Sequence, residues 1–295
     1  MSDTSTIFSI EMGKAIVNIT KASGQKAPFN KGKLKQSLLR AGATNNKADE
    51  VVAEIMDMLV EGMSTKKIYK VAFRMLRSVS RPAASRYKLK QALVELGPTG
   101  FPFELFIAEL LTFRGYQVKV DEVVQGHCVT HEIDVLAEKG NEQLIIECKF
   151  HNRQGYISDV KIPLYIQSRF LDVQTFWNQT KGEEEKALQG WVVTNTRFST
   201  DAVQYGNCMG LHLMSWDYPL NSGIRDWVDQ SGLHPLTSLT TLTKVEKQHL
   251  LDKKVVLCKT LHQKPELLEG IGVRESRLQR VLDECLQLCQ THLTE

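Results

Sequence analysis

Glu132 and Asp134 stand two apart in THEIDVLAE, and Glu147 and Lys149 stand two apart in QLIIECKF. Both segments read as strands, and alternate residues of a strand face the same side, so each pair shares a face. EKGNE between them is short and carries Gly and Asn, which predicts a hairpin that brings two carboxylates and a lysine together. On the other face of the second strand Leu144, Ile146, Cys148 and Phe150 fix the register by burial, leaving Glu147 and Lys149 to be solvated, paired or metal-bound. These residue types suit phosphodiester hydrolysis. Carboxylate oxygens hold Mg²⁺ (or Mn²⁺) at about 2.0–2.1 Å, the cation polarises the phosphoryl oxygen, and a lysine orients or deprotonates the attacking water. The bland alternative is a surface hairpin with a Glu/Lys salt bridge that contributes about 0–1 kcal/mol.

The surrounding text supplies the elements that must position these groups. FPFELFIAELLTFRG reads as a helix, YQVKV as a strand ahead of the hairpin, residues 160–178 as a helix, GWVVTNT as a strand, then another helix and the strand GLHLMSW. Such a series implies a mixed sheet flanked by helices. Ahead of it lie an extended AIVNITKASG, then PFNKGKLKQSLLRAG, then two amphipathic helices, the second capped by Ser64. ELGPTGFP breaks the pattern, and from about residue 221 strand signals give way to helical ones. The expectation is an α+β multidomain chain: a helical bundle with a small β cap over 1–97, an α/β domain over 98–220 and an all-α domain over 221–295.

At 295 residues with 42% hydrophobic and 24% charged residues, the chain is long enough for several cores and unlike a disordered one. MSDTSTIFSIEMGK lacks a secretory signal and no long apolar run follows, so a cytoplasmic protein without membrane partners is expected. The six cysteines show no CxxC spacing and read as free thiols, with Cys285 and Cys289 in a core. His127, Cys128 and His131 in GHCVTH are zinc-compatible but lack a four-ligand set. The net charge of +3 hides an asymmetry: residues 1–97 hold 17 Lys and Arg against 8 Asp and Glu, a net +9, leaving −6 for the rest. A basic front suits phosphate-bearing partners, although a solvated basic helical face fits the charge equally well.

The order FPFE, EID, IIECK and WVVTNTRFS resembles the Mrr-type restriction endonuclease domain of the PD-(D/E)xK nuclease superfamily, over roughly residues 98–220. The resemblance implies Asp134 and Glu147 as metal ligands, Lys149 as the water-activating residue and Glu104 as the acid of the preceding helix. Glu104 also fits a helix N-terminal acid favoured by the dipole. Gln167, in the helix after the hairpin, is placed where it could likewise approach the site, with a surface amide as the preferred reading. By resemblance again, DNA is the substrate and two copies paired as a homodimer would cut both strands.

VNITKASG, PFNKGKL, STKKIYK and SRYKLK resemble the ATP-cone, a nucleotide-binding regulatory domain, over about residues 14–95. The match implies ATP or dATP, with Lys21 and Lys33 neutralising triphosphate charge, Gly24 keeping the turn open, and Asn30, Thr65 and Tyr69 contacting the nucleotide. The family's Lys-Arg pair is Lys21-Ala22 here and Ser23 precedes the glycine, which removes one bidentate phosphate donor. LLEGIGVRESRLQRVL looks like part of a helix-hairpin-helix, in which Gly270 and Gly272 would offer backbone N–H groups, and Arg274 and Arg277 charge, to a DNA phosphate. Together these features predict a metal-dependent DNA endonuclease regulated by a nucleoside triphosphate. The alternatives are a nucleotide-responsive DNA-binding regulator whose nuclease fold does not cut, and a nuclease acting on RNA or branched DNA.

Overall fold

The structure is a computed structural model that describes residues 17–180 and 187–290. The signal-free reading of the first fourteen residues, and the first two residues of the extended AIVNITKASG, lie outside them. The N-terminal unit is a hairpin, β1 (Asn18–Thr20) and β2 (Lys26–Pro28), followed by α1 (Lys31–Arg40), α2 (Asn45–Asp57), α3 (Thr65–Val79) and α4 (Arg81–Tyr87). Each helix starts on a side-chain cap: Asn30, Thr44, Ser64 and Ser80 accept from backbone N–H groups of the first turn. The apolar stripes of these helices, Leu34 and Leu38, Val51 and Ile55, Ile68, Ala72 and Leu76, close into a core of their own.

A short helix, α5 (Leu89–Val94), leads into α6 (Phe101–Phe113), β3 (Gln117–Gln125), β4 (Thr130–Lys139) and β5 (Glu142–Lys149). Gly140 and Asn141 form the two-residue link between β4 and β5, with Gly140 at φ 54°, a conformation that a side chain disfavours. There follow β6 (Ile157–Ser158), α7 (Lys161–Thr180), β7 (Ala187–Thr194), β8 (Arg197–Phe198), α8 (Thr200–Cys208) and β9 (His212–Met214). The sheet runs β3-β4-β5-β7-β9, antiparallel as far as β5 and parallel beyond it, the mixed sheet expected. The small parallel pair β6–β8 was not anticipated.

Helices α9 (Ile224–Ser231), α10 (Lys244–Asp252), α11 (Cys258–Gln263), α12 (Glu266–Glu269) and α13 (Glu275–Cys289) complete the chain. One apolar core runs from α5 and α6 through Val135, Ile146 and Val193 of the sheet to Leu250, Leu261, Val281 and Cys285. The helical end is therefore packed onto the sheet domain rather than around a separate core. Leu89 and Leu93 join this core too, so packing changes hands near residue 88, ahead of the sequence break at 97.

Polar groups tie the units together. The buried carboxylate of Glu284 accepts from Ser85 Oγ of α4 and from the N–H and hydroxyl groups of Thr240 and Thr241, at 2.5–3.0 Å. Lys88 donates to Glu95 at 2.6 Å and to the Thr237 carbonyl at 2.9 Å. Close by, burial and the charge of Arg86 pull the His234 imidazole down from 6.5 to about 3. The unfolded chain takes up this proton below pH 6.5 and the folded chain only near pH 3, so stability falls as pH drops through that window. Urea unfolding of His234→Phe should show a shallower loss of stability below pH 6.5 than wild type; an unchanged slope would mean other groups carry the acid sensitivity.

Candidate active site

The site forms where β4 and β5 part company. Their ladder stops at Val135↔Ile146, one residue short of Asp134 and Glu147. Past that point Asp134 Oδ2 accepts the Cys148 N–H at 2.6 Å, taking the place of a strand carbonyl. On the other edge of β4 the register passes from Val120↔Val135 to Glu122↔Ile133, so the residue facing Asp134 is Asp121, which sits at φ 61° in mid-strand. Positive φ in a strand interior is strained for any residue but Gly, and Asp tolerates it better than most. The kink gathers a further carboxylate that alternation alone did not single out.

Glu147 is buried, with 8% of its surface exposed, and each carboxylate oxygen faces a cation. Lys149 Nζ donates to Oε1, and Arg169 Nη1 donates to Oε2 at 2.5 Å. Arg169 comes from α7 and its second nitrogen donates to the Glu132 carbonyl, binding the helix to both strands of the hairpin. The guanidinium was missed by the sequence reading; its only signal there was a basic residue two positions beyond Gln167. Gln167 itself is not a surface amide: it is 5% exposed, and its Oε1 has no partner among the described residues. Such an orphaned buried acceptor is uncommon and is suited to a donor that a ligand or water would bring.

The remaining acids share one field. Burial first, then the negative charge of Glu147, push Asp134 up to about 6, against the opposing pull of the Cys148 N–H, Lys149 and Arg169. Glu104 is pushed up to about 7 by burial and then by Asp134, Asp121, Glu147 and Glu132. A dipole-stabilised N-terminal acid would shift the other way, so burial and, after it, the neighbouring acids outweigh the dipole at Glu104. Its Oε1 lies over Gly100, 3.1 Å from where a Cβ would stand. Oxygen donors that repel one another in a half-buried setting are what a hard divalent cation relieves, so Asp134 and Glu147 fit Mg²⁺ or Mn²⁺. Lys149 and Arg169 occupy the corresponding charge-compensating role at Glu147.

The zinc-compatible trio has another explanation. Asp172 of α7 takes the Cys128 and Val129 N–H groups at 2.8 and 3.3 Å and pairs with His131 Nε2 at 2.7 Å, which holds its carboxyl far below the usual range. His127 turns instead to Gln179 at 3.2 Å. The GHCVTH turn is thus fastened to a helix by hydrogen bonds. Among the described residues no group of three or more His, Cys, Asp and Glu stands arranged to hold a metal ion.

In the N-terminal unit, Thr20 N–H donates to the Met63 carbonyl at 3.0 Å and Thr20 bridges Ser64, which sets the β1–β2 turn beside the start of α3. Lys21 and Gly24 (φ 82°) lie in that turn, Thr65 opens α3, and Asn30 and Lys33 stand at the start of α1. Lys21 Nζ reaches Gln25 at 3.1 Å, and Asn30 Oδ1 caps Lys33 N–H at 2.9 Å. Tyr69 stacks on Tyr87 with centroids 5.4 Å apart, and burial raises its phenol strongly.

At the far end, Gly272 is at φ 81° and Arg274 is exposed at the start of α13, while the Gly270 carbonyl meets Lys253 Nζ at 3.4 Å. Arg277 does not project as a free charge. Its guanidinium forks onto Glu246 at 2.6 and 3.0 Å and donates to the Thr241 carbonyl at 2.7 Å, a fastening between α13 and α10.

Removing Arg169 leaves a buried carboxylate oxygen of Glu147 without its partner. Arg169→Met should lower unfolding stability in EDTA by roughly 1–3 kcal/mol. Chemical denaturation measures this, and an unchanged midpoint would show that Lys149 suffices.

Three family models match the chain in succession: "ATP cone domain" over residues 17–91, "Restriction endonuclease" over 98–217 and "AF1548-like, C-terminal" over 234–289. An uncharacterised protein of Archaeoglobus fulgidus is 36% identical over 179 residues, which cover 60% of this chain and 97% of the relative. A crystal structure described as that of a protein of unknown function, AF1548, aligns with a TM-score of 0.53 at 33% identity, covering 65% of this chain and 98% of that one. No described helix is long and apolar enough to cross a membrane. With an ATP cone, a restriction endonuclease domain and an AF1548-like end in that order, and a relative matched over nearly its whole length, this chain belongs to the AF1548-like family of nuclease-fold proteins.

Proposed function

We propose that the protein is a divalent-metal-dependent DNA endonuclease whose activity is tuned by ATP or dATP at the N-terminal domain. The observation that carries the reading is the convergence of Asp134, Glu147 and Lys149 at the splayed strand ends, with Glu104 in the same field. Mg²⁺ or Mn²⁺ held by Asp134 and Glu147 would supply Lewis-acid polarisation of the phosphoryl oxygen. Arg169 keeps the Glu147 carboxylate fixed in orientation through Oε2 and the Glu132 carbonyl. Lys149 Nζ, on the Glu147 face of β5, positions the attacking water and offsets the charge that grows on the phosphoryl oxygens. Glu104, with a carboxyl that titrates near neutrality, assists by holding or passing a proton.

Regulation has a physical route. Lys21 and Lys33 would supply charge for a triphosphate, Gly24 would leave the turn open, and Asn30, Thr65 and Tyr69 would contact the nucleotide. The same turn presses on the nuclease domain. A Cβ on Gly155 would stand 2.4 Å from the Ala22 carbonyl carbon and 2.6 Å from the Ser23 nitrogen, so backbone meets backbone six residues beyond Lys149. Nucleotide bound at the turn would move the peptide that touches this loop.

Wild type should nick supercoiled plasmid in Mg²⁺, and Asp134→Ala and Lys149→Ala should lose at least about a hundredfold in rate while keeping the wild-type circular dichroism spectrum. Full nicking by a folded Asp134→Ala would reject the assignment, and DNA binding without turnover by wild type across divalent metals would favour the non-cutting regulator. In Gly155→Ala the ratio of nicking rates with and without ATP should collapse towards one. An undiminished ratio would place the coupling elsewhere.

A further inference from the structure

Directly after the last residue of β5 the chain opens a cleft of about 380 Å³ lined by Pro98, Phe150, His151, Asn152, Arg153 and Tyr156. Its floor is rigid. Asn195 clamps the backbone of His151 on both sides, accepting its N–H at 2.9 Å and donating to its carbonyl at 2.9 Å. His151 Nε2 lies 3.0 Å from Ser158 Oγ. On the ring of His151 lies Tyr156, with centroids 4.0 Å apart and planes 28° from parallel, yet 56% of Tyr156 remains exposed. Arg153 and Asn152 are exposed beside it, and no hydrogen bond or ion pair within the described residues engages the Arg153 guanidinium.

An aromatic pair held against one wall, with an open face and an uncommitted arginine at the rim, is the chemistry that receives a planar base and its phosphate. A base inside an intact duplex presents no free face, so the occupant must be unstacked. The volume is of the size of one nucleotide. We propose that this cleft is a subsite for one unpaired nucleotide of a DNA strand next to the scissile phosphate, with the base on Tyr156 and a phosphate on Arg153. The proposal rests on the nuclease reading and narrows its substrate to DNA with a single-stranded segment. Tyr156 is a binding residue here, seven residues beyond the end of the strand that carries Lys149, and takes no part in bond cleavage.

The test uses the full chain in EDTA, so binding is read without turnover. Fluorescence anisotropy with a labelled single-stranded DNA oligonucleotide should show Tyr156→Ala weakened about tenfold, with Tyr156→Trp close to wild type. Arg153→Ala should lower the slope of log affinity against log salt by about one phosphate contact. Tyr156→Ala binding equal to wild type, or an equal loss in Tyr156→Trp, would overturn the subsite. Tighter binding of an RNA oligonucleotide of the same sequence would overturn the commitment to DNA. Plasmid nicking measured in parallel separates the two claims: nicking retained with a silent Tyr156→Ala removes the subsite alone, whereas wild type that neither binds DNA nor nicks it removes the nuclease reading as well.

Discussion

A carboxylate buried at the end of a sheet strand cannot stand without cations, and Glu147 is that carboxylate. Its surroundings follow from the need. Lys149, two residues on along the same face, supplies one cation because the strand period is two. Arg169 supplies the other, which requires α7 to cross the sheet at that point and lets the Glu132 carbonyl complete its hydrogen bonding. Asp134 takes the Cys148 N–H that the parting strands leave without a ladder partner. The balance is incomplete by design of charge: Glu104 and Asp134 remain pushed towards their neutral forms. A site in which acids outnumber their local cations is prepared for one more positive charge.

The packing explains how a nucleotide domain can bear on such a site. The N-terminal bundle keeps its own core, so it can respond as a unit. The sheet domain and the C-terminal helices share a single core, and that unit packs against them. The contacts between them differ in character, and Arg40 of α1 adds ion pairs to Asp226 and Asp229 of α9. Around Glu284 and Ser85 there is a hydrogen-bonded anchorage, while at Gly155 there is bare backbone against the turn that carries Lys21 and Gly24. The anchorage and the close approach both join the two units, and the close approach falls on the loop beyond Lys149.

Much of this was legible in the sequence for local reasons. The acids and the lysine set two apart, with the Gly140-Asn141 link, announced the β4–β5 hairpin and the face shared by Glu147 and Lys149, and the Ser64 cap announced the start of α3. What stayed hidden was tertiary. Arg169 sits on a helix whose sequence gives no sign of which strand it will meet. Gln167 looks like any helical amide until the sheet covers it. Asp121 continues an ordinary alternating strand, and only the kink opposite Asp134 singles it out. Arg277 shows the converse: a basic residue after a Gly-Ile-Gly turn suggests phosphate, but Glu246 lies within reach in the fold and takes the charge.

The central claim is that Asp134 and Glu147 share a divalent cation. Isothermal titration of Mn²⁺ into wild type and Asp134→Asn at neutral pH tests it most directly, since the substitution keeps size and a hydrogen-bonding oxygen while removing the charge. A binding isotherm in wild type that is lost or weakened at least about tenfold in the variant is the predicted result; equal binding by both proteins, or none by wild type, would contradict the account.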